Sequence, residues 1–229
     1  MFEQINSKVV AVDIATAGGV VARAGGMLFY TGDVSFAPHE IPGGAGMGGG
    51  GLLRMAGQMM AGEHQRTMLA QGSGSVHYGF AGLEVQVVHV QPGAVLQVEA
   101  SRLLAYTAGL QTSVVSVASS GGGGGGLMGA LRGAASGALT GQGMFTTQLS
   151  GQGSAVLLAH GGFLELQVGG PNPVVVDPQA FIASYGNVHT DLKAAVSWRD
   201  AVGRGSGEAM QLQCAGQGLV YVQASEEKL

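Results

Sequence analysis

Charge is what this chain has least of. Asp, Glu, Lys and Arg make up 10% of its 229 residues, against about 25% in typical soluble domains. The ten Lys and Arg are scattered, no two of them adjacent, and the net charge is −4. Binding to nucleic acid by counterion release needs clustered basic residues, so no DNA or RNA partner is expected. Cysteine is nearly absent as well. Cys214 stands alone, which excludes an internal disulfide and suits a reducing compartment. The start, MFEQINSKVVAVDIA, lacks the basic segment and apolar core of a secretory signal, and a cytoplasmic location is expected. There is no long, purely apolar run. The uncharged span 103–131 is long enough to cross a bilayer but is rich in Gly, Ser, Thr and Gln, and is not read as a membrane helix.

Glycine fills the space that charge leaves, with 43 residues against the usual ~7%. So few charges cannot clothe a monomer of this size unless Gly, Ser, Thr, Gln and His carry the surface or part of it is covered in an assembly. The second alternative predicts a homo-oligomer.

The glycines recur in order. LAQGSGSVHYG (69–79), LSGQGSAVLLA (149–159) and CAGQGLVYVQA (214–224) each hold a Gly-x-Gly pair between aliphatic residues. The pairs are Gly72/Gly74, Gly151/Gly153 and Gly216/Gly218. A second motif, an apolar pair followed by tyrosine and glycine, precedes each copy: AGGMLFYTGDV (24–34), ASRLLAYTAGL (100–110) and PQAFIASYGNV (178–188). Between the two motifs lie Gly-rich or mixed insertions at 49–65, 125–143 and 192–208. Repetition at this scale predicts three tandem units, residues 1–80, 81–160 and 161–229. Within them LEVQVVHV (83–90) and FLELQV (163–168) alternate with period two, the pattern of half-buried strands. VLQVE (95–99), VVVD (174–177) and TSVVSV (112–117) read as further strands. The Gly-x-Gly pairs are expected at equivalent hairpin turns, as where MFTTQL (144–149) meets SAVLLA (154–159), because glycine supplies positive φ at no steric cost.

Three stretches together carry a family resemblance: GGGGLLRMAGQMMAGE (48–63), GQGMFTTQLSGQGSAVLLA (141–159) and VVVDPQAFIASYGNV (174–188). In these the chain resembles the altered-inheritance-of-mitochondria twenty-four family, whose bacterial members are called mitochondrial-biogenesis-like. The resemblance implies an all-β fold, three β-sandwich-like units in a pseudo-threefold arrangement, similar to the tryptophan RNA-binding attenuation protein. It brings no established catalytic residues. The charged third insertion, WRDAVGRGSGE (198–208), departs from the Gly-dominated pattern of the first two.

Chemistry is sparse. GMGGGG (46–51) matches G-x-G-x-x-G through Gly46, Gly48 and Gly51, but there is no βαβ rhythm to make it a dinucleotide site. No P-loop, nucleophile elbow or H-E-x-x-H pair occurs. His39, His64, His77, His89, His160 and His189 show no ligand spacing, and Glu84, Glu99, Glu165 and Asp177 lie in or beside strands with nothing to select a catalytic pair. Cys214 reads as a buried structural residue. No catalytic, cofactor or metal residue is therefore assigned, and no cofactor is expected.

The insertions are the distinctive feature. Leu52, Met55, Met59 and Met60 fit one apolar helical face, and Gly129, Gly133, Gly137 and Gly141 recur every fourth residue. Each glycine costs about 1 kcal/mol against alanine in a helix, so a helix there needs packing partners. The expected interaction surface is Leu52, Leu53, Met55, Met59, Met60, Leu127, Met128 and Leu131. The sequence thus reads as an all-β, non-enzymatic oligomeric scaffold or binding protein acting through Gly/Met-rich insertions, with a protein partner or a membrane surface as further alternatives. A small-molecule- or metal-binding β-sandwich with hydrolytic activity stays open as the second reading.

Overall fold

Apolar residues, many of them alternating, close into strands across the described residues. The computed structural model describes residues 1–41, 66–116, 145–194 and 210–226. Residues 1–80, read above as the first of three units, hold β1 (Phe2–Asn6), β2 (Val9–Asp13), a one-turn helix α1 (Ile14–Ala17), β3 (Val20–Arg23), β4 (Met27–His39) and β5 (Thr67–Tyr78). The second holds β6 (Glu84–Val90), β7 (Val95–Glu99), a 3-10 turn (Ala100–Arg102), β8 (Leu103–Thr107), β9 (Gln111–Ser116), β10 (Phe145–Ser150) and β11 (Gly153–Ala159). The third holds β12 (Phe163–Val168), β13 (Val174–Val176), β14 (Phe181–Ala194) and β15 (Met210–Gln223). The protein is all-β. The helix α1 has no counterpart in the sequence reading; the Asp13 carboxylate caps it by accepting from the Thr16 amide at 2.7 Å, and hydrogen bonds from the Thr16 side chain and backbone hold that carboxyl below its usual pKa.

Two antiparallel sheets result. One runs β1-β2-β5-β3-β8-β11-β6, with β4 added to β5; the other runs β12-β15-β14-β7-β10-β9, with β13 added to β15. The ends of the first sheet approach each other. The Val85 amide donates to the Ser7 carbonyl at 2.7 Å, and Gln4 Nε2 donates to the Val85 carbonyl at 3.1 Å, so the sheet curls towards a barrel. Alternation translates into burial, with Leu96 and Val98 of β7 both at 0% exposure between half-buried neighbours. One apolar cluster joins Val10, Val20, Val76, Leu104 and Val156; a second joins Val21, Leu96, Leu149, Leu157 and Ile182; a third gathers Val168, Val188, Leu212, Cys214 and Val220.

The ladders share one register from unit to unit. Two residues before each first joint glycine, the closing strand faces an inner strand: Ala70 opposite Val20, Leu149 opposite Leu96, Cys214 opposite Val174. One residue after each second joint glycine it faces an outer strand: Ser75 opposite Asp13, Ser154 opposite His89, Leu219 opposite Gln167. The Gly-x-Gly pair is therefore where the closing strand changes partner.

This corrects the expected hairpin turns. Gly72 and Gly74 lie inside β5, paired with Val34 and Gly32 of β4. Gly216 and Gly218 lie inside β15, paired with Val188 and Gly186 of β14. In the middle unit β10 does not fold back on β11: β10 pairs with β7 and β9, and β11 with β6 and β8. At the first and third joints the physical reason is close backbone approach rather than chain reversal. The first glycines have φ of +118°, +107° and +117° at Gly72, Gly151 and Gly216. A Cβ on Gly72 would lie 2.2 Å from the Asp33 carbonyl oxygen, and one on Gly216 2.2 Å from that of Asn187.

Candidate functional site

All eight residues expected to form the interaction surface, Leu52, Leu53, Met55, Met59, Met60, Leu127, Met128 and Leu131, lie outside the described residues, as do Gly129, Gly133, Gly137 and Gly141. The strands that flank them are described. The first insertion leaves and re-enters where His39 faces Thr67, the second where Ser116 faces Phe145, the third where Ala194 faces Met210. All three join the two strands of one ladder, on the far side of the Gly-x-Gly joint from the outer strand. The Thr67 hydroxyl donates to the His39 carbonyl at 2.7 Å and closes the first of these ends.

Several polar residues noted in the sequence take part in contacts that hold the fold. His77 stacks on Phe29, ring centroids 4.1 Å apart. Glu84 faces Lys8 at 3.7 Å and accepts from the Gly161 amide. Glu165 accepts from Gln86 Nε2 at 2.5 Å, and Asp177 accepts from the Gln179 amide at 2.6 Å in the turn after β13. Cys214 is fully buried, and burial pushes its thiol up to about 12, far from a nucleophile's range. Among the described residues no group of three His, Cys, Asp or Glu is placed to hold a metal ion.

Two juxtapositions escaped sequence reasoning. The register of β6 on β11 brings His89 Nδ1 within 2.9 Å of Ser154 Oγ, across 65 residues. It resembles a nucleophile and its base, but Ser154 is at 0% exposure and its amide donates to Thr107 Oγ1 at 3.1 Å. The contact pins the strand just past the middle joint, with the hydroxyl sealed from solvent. The second is a charged cluster where the first two units meet. The Glu99 carboxylate accepts from the amide and hydroxyl of Ser101, and Arg23 Nη1 donates to the Ser101 carbonyl at 2.9 Å. The Arg23 guanidinium lies 4.0 Å over the Phe80 ring. Burial raises the Glu99 pKa, an effect opposed by its Ser101 bonds and by Arg102 and Arg23. Burial also lowers that of Arg102. In a chain with so little charge, this group joins β3 of one unit to the 3-10 turn of the next.

Where the ends of the first sheet converge there is an open groove of about 520 Å³, bordered by Gln4, Ser7, Glu84, Gln86 and Phe163. Among the described residues no helix is long and apolar enough to cross a membrane. Among the described residues the longest run of exposed large apolar side chains is the start of β4. Met27, Leu28, Phe29 and Tyr30 are each 40% to 52% exposed.

Comparison with known proteins decides the family. The model of mitochondrial biogenesis AIM24 matches residues 2–225. The chain belongs to the AIM24 family. The resemblance of the glycine-rich and tyrosine motifs pointed to this same family. A search of curated protein sequences finds no match. Among solved structures, this AIM24 chain is similar to an X-ray crystal structure of a protein from Streptococcus pyogenes, with a TM-score of 0.66 at 16% identity. The likeness covers 98% of this chain and 92% of that one, and at that identity it concerns the fold.

Proposed function

We propose that this AIM24-family chain is a non-enzymatic scaffold that associates with further copies of itself, and that its insertions are the surfaces it offers. The observation that carries this reading is the common placement of the three insertions. Each is inserted at the end of the same ladder of its unit, at His39/Thr67, Ser116/Phe145 and Ala194/Met210. A pseudo-threefold arrangement of units 1–80, 81–160 and 161–229 accounts for the matching registers. A charged fraction of 10% supports covered surface, since large exposed apolar patches are uncommon on monomers. The scattered basic residues and lone cysteine fit a cytoplasmic protein without a nucleic-acid partner.

The test is to replace Leu52, Met55 and Met59 with Glu and follow the mass by light scattering across micromolar concentrations. The reading expects the unmodified protein to exceed its monomer mass of 22.9 kDa and the triple variant to yield smaller species with an unchanged far-ultraviolet strand signal. An unmodified protein that stays monomeric would contradict it.

A further inference from the structure

The units are joined to one another by strand pairing, and the joining pattern stops short at both ends of the chain. The inner strand of the first unit pairs with the tyrosine-motif strand of the second: Val20, Val21 and Ala22 face Thr107, Tyr106 and Ala105. The inner strand of the second pairs with that of the third in the same register: Leu96, Gln97 and Val98 face Tyr185, Ser184 and Ala183. The third inner strand, β13, sits on β15 as its counterparts sit on β5 and β10. Yet among the described residues β13 pairs with β15 alone, and the tyrosine-motif strand of the first unit, β4, with β5 alone.

The consequence is visible in burial. Leu103–Tyr106 and Phe181–Ser184, the segments that receive a neighbouring inner strand, are at most 6% exposed. Met27–Tyr30, at the same place in the repeat, is 40% to 52% exposed, and Val175 on the free side of β13 is 48% exposed. The register of β4 shifts between Met27 and Phe29, as that of the covered strand β14 does between Phe181 and Ala183, so this irregularity does not bar pairing. An apolar edge strand without lysine or proline at its open positions is a template for a further strand. Between Met27 and Thr31 this edge carries no charge at all.

We propose that β13 of one copy adds to β4 of a second copy, antiparallel, with Val174 opposite Thr31, Val175 opposite Tyr30 and Val176 opposite Phe29. The occupant is a second copy because its strand has the length, apolar character and register that the two junctions inside the chain already use, while the chain's own β13 leaves Met27–Tyr30 bare. The contact is heterologous, so copies add head to tail and either close a ring or extend. It rests on the self-association in the proposed function but involves no insertion residue.

The experiment uses full-length single-cysteine additions. Tyr30→Cys and Val175→Cys are made separately, mixed in equal amounts and oxidised. Thr31→Cys with Val174→Cys is the second pair. Adjacent antiparallel pairs alternate between wide and narrow spacing, so one of the two suits a disulfide. Cys214 is fully buried and stays silent. The expected result is a covalent dimer in the mixture of at least one pair and none in either single variant alone, with Val175→Lys abolishing the larger species in light scattering. Absence of a dimer from both mixtures, equal dimer from single variants alone, or a Tyr30→Cys/Val175→Cys chain that only closes on itself would each overturn the proposal. Repeating the mixture with Leu52, Met55 and Met59 changed to Glu separates the two readings: a dimer that persists there keeps the strand contact even if the insertions play no part.

Discussion

Met27–Tyr30 and Leu103–Tyr106 occupy the same place in two successive units, and both are apolar strands ending in tyrosine. One is exposed to solvent and the other is sealed. The difference does not come from their own residues. It comes from the strand alongside: β8 lies between β3 and β11, whereas among the described residues β4 has β5 on one side only. Burial in this fold is conferred by the neighbouring unit, so stability should be concentrated at the unit junctions and thin out towards β4.

That contrast can be broken most sharply at the two leucines. Leu104 is fully buried and Leu28 half-exposed. Leu104→Ala is expected to cost about 3 kcal/mol and Leu28→Ala within about 0.5 kcal/mol, read from urea unfolding at a concentration low enough to keep the protein monomeric. Equal costs would mean that β4 is already covered.

The joints sharpen the comparison at a smaller scale. A Cβ on Gly218 would sit 2.1 Å from the Tyr185 carbonyl oxygen, whereas the nearest atoms to one on Gly151 are 3.9 Å away. Gly151→Ala therefore meets open space and bears only the strain of its positive φ, about 1–2 kcal/mol. Gly218→Ala adds a backbone clash and is expected to lose more, so its melting temperature should fall further than that of Gly151→Ala.

The buried tyrosines give a pH signature. Burial pushes the phenols of Tyr106 and Tyr221 up to about 12. The folded state thus holds the proton more tightly than the unfolded chain, whose tyrosines titrate near pH ~10. Their contribution to stability is complete below pH ~10 and is lost as the pH rises through about 12. Thermal melts should fall steeply over that window, and Tyr106→Phe should flatten the slope. The smallest change concerns Cys214, whose thiol should leave a disulfide reagent unreacted in the native protein and consume one equivalent on unfolding.

Much of the strand layout was legible. Alternation located β6 and β12, short apolar runs located β7 and β13, and the recurrence of Gly-x-Gly marked the closing strand of every unit. Which strands those segments join was not legible. A glycine pair reads the same whether the chain reverses or merely changes partner, and only the register of the inner and outer strands tells the two apart. The His89–Ser154 contact was hidden for a similar reason: nothing local links residues 65 apart until β6 is laid on β11. The exposure of Met27–Tyr30 was hidden too, because its composition matches that of its buried counterparts.

Hydrogen exchange of the backbone amides, followed as the protein is diluted through its association range, tests the central claim most directly. Peptides covering Met27–Thr31 and Val174–Val176 should be protected together at high concentration and lose protection together on dilution, while Leu103–Tyr106 stays protected throughout. Fast exchange at Met27–Thr31 at every concentration, or protection there that does not depend on concentration, would contradict pairing between copies.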